Sequence, residues 1–155
     1  MKGRACISFC MWFLLAATGL AQGFAGLGSD AEGYVLPDPA ARFEFPADHG
    51  SHPLFRIEWW YLTANLTGDD GEIYGVQWTL FRNAVRPGGA PEDQVWMAHA
   101  AISSPVGHFH AERFARGGIG QAFVQASPFA ARIDEWALAG PSLADVTMTA
   151  QGSDW

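Results

Sequence analysis

Residues 56–66, "RIEWWYLTANL", and 72–85, "EIYGVQWTLFRNAV", flank the turn residues "GDDG" at 68–71. Aromatic and β-branched side chains on both sides of a short Gly/Asp connection predict a β-hairpin. Alternation along a strand puts Trp60, Leu62, Ala64 and Leu66 on one face and Ile57, Trp59, Tyr61 and Thr63 on the other. On the second strand Tyr74, Val76, Trp78 and Leu80 share a face, opposite Ile73, Gly75, Gln77, Thr79 and Phe81. A hairpin apolar on both faces needs something against each, either a second layer or a ligand cavity inside a barrel.

The rest of the chain continues the pattern. "QVWMAHAAIS" (94–103) and "GHFHAERFAR" (107–116) predict a second strand pair joined through "SPVG", after the polar loop "RPGGAPED" at 86–93. "GGIGQAFVQAS" (117–127) fits a short helix or a loop. "FAARIDEWALAG" (129–140) and "SLADVTMTAQG" (142–152) predict a third pair that turns at Gly140 and Pro141. No long stretch carries apolar residues at helical spacing. Six or so short strands separated by Gly and Pro indicate an all-β fold, an antiparallel barrel or sandwich. The chain stops at "GSDW", where a last strand would be an open edge, so a fragment of a longer product is expected.

The N-terminus predicts export. Lys2 and Arg4 precede the uncharged apolar run "ACISFCMWFLLAATGL", and small residues set up a cut after Ala21. That is the form of a signal peptide, its run being shorter than the roughly 20 residues that span a bilayer. Cleavage removes both cysteines, and with them any disulfide or thiolate site. Without Lys2 and Arg4, seven basic residues face sixteen acidic ones, which argues against nucleic acid or anionic membrane as partners. Residues 22–44, rich in Gly, Ala and Pro, read as an extended lead-in, and residues 45–155 as the domain proper.

Chemistry concentrates in "FPADHGSHPLFRIEWWYLTANL" (45–66). Pro46 and Pro53 stiffen the approach, Gly50 permits a sharp turn, and Asp48, His49 and His52 gather at the entrance to the first strand. Polar groups at the rim of an apolar barrel can read a ligand or exchange protons. The plainer account has Asp48 capping a turn and the histidines as ordinary rim groups. Glu58 shares the face of Trp60 and Leu62 and must be paired or protonated there. One account pairs it with Arg56 or Arg82; the other makes it a proton donor of raised pKa. Trp59, Trp60, Tyr61, Tyr74 and Trp78, with Arg56, form the expected ligand-holding set for a hydrophobic small molecule.

Other chemistries lack support. His99, His108 and His110 would form a zinc site only in a particular strand register, and no carboxylate obviously supports each imidazole; they read as exposed or edge histidines, with no metal site and no cofactor expected. The sequence has no Gly-x-Ser-x-Gly elbow, glycine-rich phosphate loop or metalloprotease pair. Ser51 beside His49 and His52 lies on one turn, where triads seldom form.

The string Asp-His-Gly-x-His-Pro leading into Glu-Trp-Trp-Tyr, followed by "GEIYGVQWTLFR", resembles the family of AttH-like proteins and hydroxyneurosporene synthase, the CrtC-type carotenoid 1,2-hydratases. "MAHAAIS", "FHAERFAR" and "IDEWAL" also look like later blocks of that family, from about residue 36 onward. The resemblance implies a lipocalin-like (calycin-type) β-barrel, incomplete here, with a second such domain absent from this chain. For the carotenoid members it implies cofactor-free addition of water to a terminal alkene. Glu58, with Asp48, His49 and His52, would then be the catalytic set, and the aromatic block would steady the cation. Exported members of the family are often labelled secreted hydrolases, and service to an export system is a further expectation for partners. The leading expectation is an exported, periplasmic or secreted, lipocalin-like binder of a lipid or isoprenoid.

Overall fold

The computed structural model describes residues 32–155. The expected signal peptide, residues 1–21, lies outside the described residues. Eight strands follow one another: β1 Ile57–Thr67, β2 Ile73–Ala84, β3 Gln94–Ser104, β4 Gly107–Arg116, β5 Ala122–Gln125, β6 Phe129–Ile133, β7 Trp136–Ser142 and β8 Asp145–Thr149. Two single-turn 3-10 helices, Ala47–His49 and Pro91–Asp93, precede β1 and β3. The strands form two antiparallel four-stranded meanders, β1-β2-β3-β4 and β5-β6-β7-β8. The all-β fold is as expected, and it is an open lipocalin-like arrangement: among the described residues the two sheets do not close into one barrel.

The β1–β2 hairpin forms as predicted. Trp60 faces Leu80, Leu62 faces Trp78 and Ala64 faces Val76, so the two predicted inner faces coincide. This face meets the second sheet in a core of Trp78, Leu80, Trp96, Ala98, Phe129, Ile133, Trp136 and Leu138. The opposite face is apolar but open, with Trp59 53% and Tyr61 66% exposed. The layer expected against it is therefore not supplied by the described residues.

Two expectations are corrected. Residues 122–125 of the ambiguous segment are strand β5, neither helix nor loop, because Ala122 and Val124 alternate inward and pair with Ile133 and Ala131. Gly140 and Pro141 do not make a turn; both lie inside β7. The β7–β8 turn sits instead at Leu143 and Ala144, and the segment 129–140 divides into β6 and β7 at Asp134 and Glu135, with Asp134 in left-handed backbone (φ 48°), which short polar side chains tolerate. Gly140 marks an irregularity in the β7–β8 register, where a Cβ would stand 1.8 Å from the Asp145 carbonyl oxygen. Glycine here permits close backbone approach rather than chain reversal.

Candidate functional site

The loop before β1 folds back on the start of the first sheet. Its 3-10 turn places Asp48 so that Oδ2 accepts the Glu44 backbone N–H at 2.5 Å, and Trp60 Nε1 donates to the His49 carbonyl at 3.0 Å. The turn presents His52 between two carboxylates. Its Nε2 lies 3.1 Å from Asp48 Oδ1 and its Nδ1 2.7 Å from Glu58 Oε1. A neutral imidazole has one N–H, so only the imidazolium donates to both.

Glu58 is held from three directions. The His52 backbone N–H reaches both of its oxygens at 3.0 and 2.8 Å, and Arg82 Nε donates to Oε2 at 2.8 Å. Arg82, 1% exposed, continues inward: Nη1 donates to Gln94 Oε1, and Nη2 to the carbonyls of His52 (3.1 Å) and Phe55 (2.7 Å). The result is one chain of polar contacts, Asp48–His52–Glu58–Arg82–Gln94, running from the surface to the core edge. Register explains its position, since Glu58 pairs with Arg82 and Arg82 with Trp96, all on the inward face.

Electrostatics follow the geometry. Burial of the His52 ring opposes its charge, but hydrogen bonds and charges from Asp48 and Glu58 outweigh burial and raise its pKa. The Glu44 backbone N–H first, and His52 second, hold Asp48 below the usual carboxylate value.

An open cleft of about 390 Å³ adjoins this chain, and its lining includes Asp48, His49, His52 and Glu58 together with Trp59, Trp60 and Phe129. Because β1 is an edge strand, its first residues reach the cleft from both faces. His49 stacks on Phe45 at a ring separation of 4.5 Å and meets Phe129 edge-on at 6.3 Å. A lining that combines polar and aromatic groups is suited to an amphipathic ligand.

The family is settled by comparison. A model of the AttH-like family matches residues 36–155. The chain belongs to the AttH-like family. A solved structure of an AttH candidate from Nitrosomonas europaea is 36% identical, with a TM-score of 0.56, covering 68% of this chain and 32% of that one. This AttH-like chain thus spans about a third of that relative's length. No curated protein matches it.

Of the residues singled out in the sequence, the AttH-like fold brings Asp48, His49, His52, Glu58, Trp59 and Trp60 to one cleft. It takes others elsewhere. Tyr61 points to the open outer face, Tyr74 donates to Asp70 Oδ2 at the β1–β2 turn (3.0 Å), and Trp78 is fully buried in the core. Arg56 is partly buried at the loop end and does not line the cleft. Arg82, the other arginine considered for Glu58, makes an ion pair with it at 2.8 Å. Ser51 lines a different cleft from His49, so the two do not converge.

His99, His108 and His110 share the outer face but not a row. His99 lies opposite Glu112, His110 opposite Ala101 and His108 opposite Ser103. Among the described residues no three His, Cys, Asp or Glu side chains gather as metal ligands.

Sequence reasoning did not find Gln94, Phe43, Phe129 or Leu143. The last three come from the lead-in and the second sheet, and only packing brings them to the cleft. Gln94 opens β3 after a polar loop and looks like a solvated residue, yet it is 4% exposed. Its signal lies in the β2–β3 register, which pairs Arg82 with Trp96, two residues along β3 from Gln94.

Proposed function

We propose that this AttH-like protein is exported and binds a hydrophobic small molecule, a lipid or isoprenoid, in the cleft beside β1. The observation that carries this is the presence of the aromatic residues Trp59, Trp60 and Phe129 and the polar Asp48, His52 and Glu58 in the lining of one 390 Å³ space. That volume lies in the range of small-molecule sites. The aromatics would hold the apolar body and the polar residues the head. Titrating the protein with fatty acids and linear polyenes tests it by calorimetry and thermal shift. Saturable binding that weakens in Trp59→Ala supports it; no heat, no fluorescence change and no stabilisation across the series overturns it.

The position of His52 favours a second reading, a cofactor-free hydratase. Its imidazolium lies at the cleft wall between two carboxylates, whereas every contact described for Glu58 is from a donor. His52, rather than Glu58, would then protonate the terminal alkene carbon. Water would capture the tertiary cation and return its proton to the imidazole, and the Trp59 and Trp60 faces would steady the positive charge. A product one water heavier from an acyclic carotenoid, lost in His52→Gln, is expected; absence of that product removes this reading and leaves the binder.

A further inference from the structure

Arg82 lines a second, smaller cleft of about 220 Å³. Pro53, Trp96 and Phe123 form apolar wall, and Arg82, Gln94 and Ser51 supply polar atoms. Arg82 and Gln94 are 1% and 4% exposed, so their hydrogen-bond capacity is shielded from bulk water.

Counting donors shows that the capacity is not exhausted. Arginine brings five N–H groups, and four are used: Nε on Glu58, one at Nη1 on Gln94, and two at Nη2 on the His52 and Phe55 carbonyls. The Gln94 amide donates one of its two hydrogens, to the Ala90 carbonyl at 3.0 Å. Ser51 makes no hydrogen bond with the described residues. Three donors from three separate segments therefore remain among the residues that line one small space.

We propose that this second cleft binds a small organic carboxylate. Its oxygens accept from Arg82 Nη1, Gln94 Nε2 and Ser51 Oγ, and a tail of a few carbons lies along Trp96 and Phe123. A carboxylate suits the planar fork of a guanidinium. Glu58 already pairs with the single charge of Arg82, so a bound anion is held by the remaining hydrogen-bond donors rather than by unmatched charge; a monoanionic carboxylate then adds one net negative charge, where a doubly charged phosphate would add two. The volume falls below that of drug-sized sites, which limits the tail. This site stands independently of the ligand cleft.

The test uses butyrate and benzoate at constant ionic strength, with butanol as the uncharged control, followed by calorimetry and by two-dimensional NMR of the full chain. Saturable carboxylate binding is expected, with shifts at the Trp96 indole and Gly118 amide, and at least about tenfold weaker binding of butanol, the scale of a charged hydrogen bond. Gln94→Glu keeps an acceptor for Arg82 but sets a negative charge in the cleft, and should reduce carboxylate affinity by about tenfold or more. Ser51→Ala, at the mouth, should weaken it several-fold without disturbing the fold. Trp59→Ala should leave it unchanged. The proposal fails if no carboxylate saturates, if butanol binds equally, if neither Gln94→Glu nor Ser51→Ala changes affinity, or if Trp59→Ala abolishes binding and so assigns it to the first cleft.

Discussion

Replacing Glu58 with Gln preserves shape and removes one charge, and the structure makes this a test of folding before it is a test of chemistry. Arg82 is 1% exposed and Glu58's side chain 14% exposed, at an Nε–Oε2 distance of 2.8 Å. Removing one partner of a buried pair leaves an uncompensated charge and costs about 3–5 kcal/mol. Partial solvent access to Glu58 and to His52, whose side chain is 36% exposed, screens some of this. The amide NH₂ adds a second effect, since both Glu58 oxygens now accept and one must become a donor facing Arg82 or His52. A loss of about 2–4 kcal/mol follows, seen as a melting temperature lower by roughly 10 °C for a domain of this size. Urea denaturation of the wild type, Glu58→Gln, Arg82→Met and the double variant closes a cycle. The double variant should be less destabilised than the two singles summed, by at least about 1.5 kcal/mol. A single-variant loss below about 0.5 kcal/mol, or strict additivity, would refute the buried-pair account.

Stability should also depend on pH at both ends. His52's pKa is raised in the fold, so its contribution is complete below the ordinary histidine value and is lost as pH rises through the raised one. Asp48's is lowered, so its contribution is present above the ordinary carboxylate value and disappears as pH falls through the lowered one. Melting temperatures across this range should show His52→Gln losing the alkaline decline and Asp48→Asn the acidic one; profiles parallel to wild type would count against the His52 clasp. Trp136→Ala, emptying a fully buried site, should cost about 3–5 kcal/mol in urea denaturation. Trp59→Ala, half-exposed, should change stability by less than about 1 kcal/mol while reducing ligand affinity. Trp60→Phe keeps the ring stack on Trp96 but loses the bond to the His49 carbonyl, an expected cost of about 1 kcal/mol by thermal melt.

The clustering of the polar groups before β1 was legible because those residues are close in sequence; Asp48, His52 and Glu58 needed little more than local geometry to meet. Glu58's two alternatives could not be separated that way. Arg56 and Arg82 stood as equal partners on paper, and the β1–β2 register, with Glu58 directly opposite Arg82, brought in Arg82. The short strand β5 was illegible because four residues carry too little periodicity, and it owes its conformation to pairing with β6. Gly140 and Pro141 misled for a related reason: Gly-Pro is turn chemistry locally, but here glycine answers a contact with Asp145 on the next strand.

Alternation and composition by themselves determined that this chain is all-β and that β1 and β2 form a hairpin around "GDDG" apolar on both faces, because strand period and turn chemistry act over a few residues. Tertiary structure alone decided that, among the described residues, only one of those faces is covered. Packing of the second sheet buried Trp78 and left Trp59 and Tyr61 open, brought Phe129 and Leu143 to the cleft from far along the chain, and set Gln94 against Arg82. Those are contacts between segments whose separation in sequence carries no signal, and the sheets fix them only when they stack.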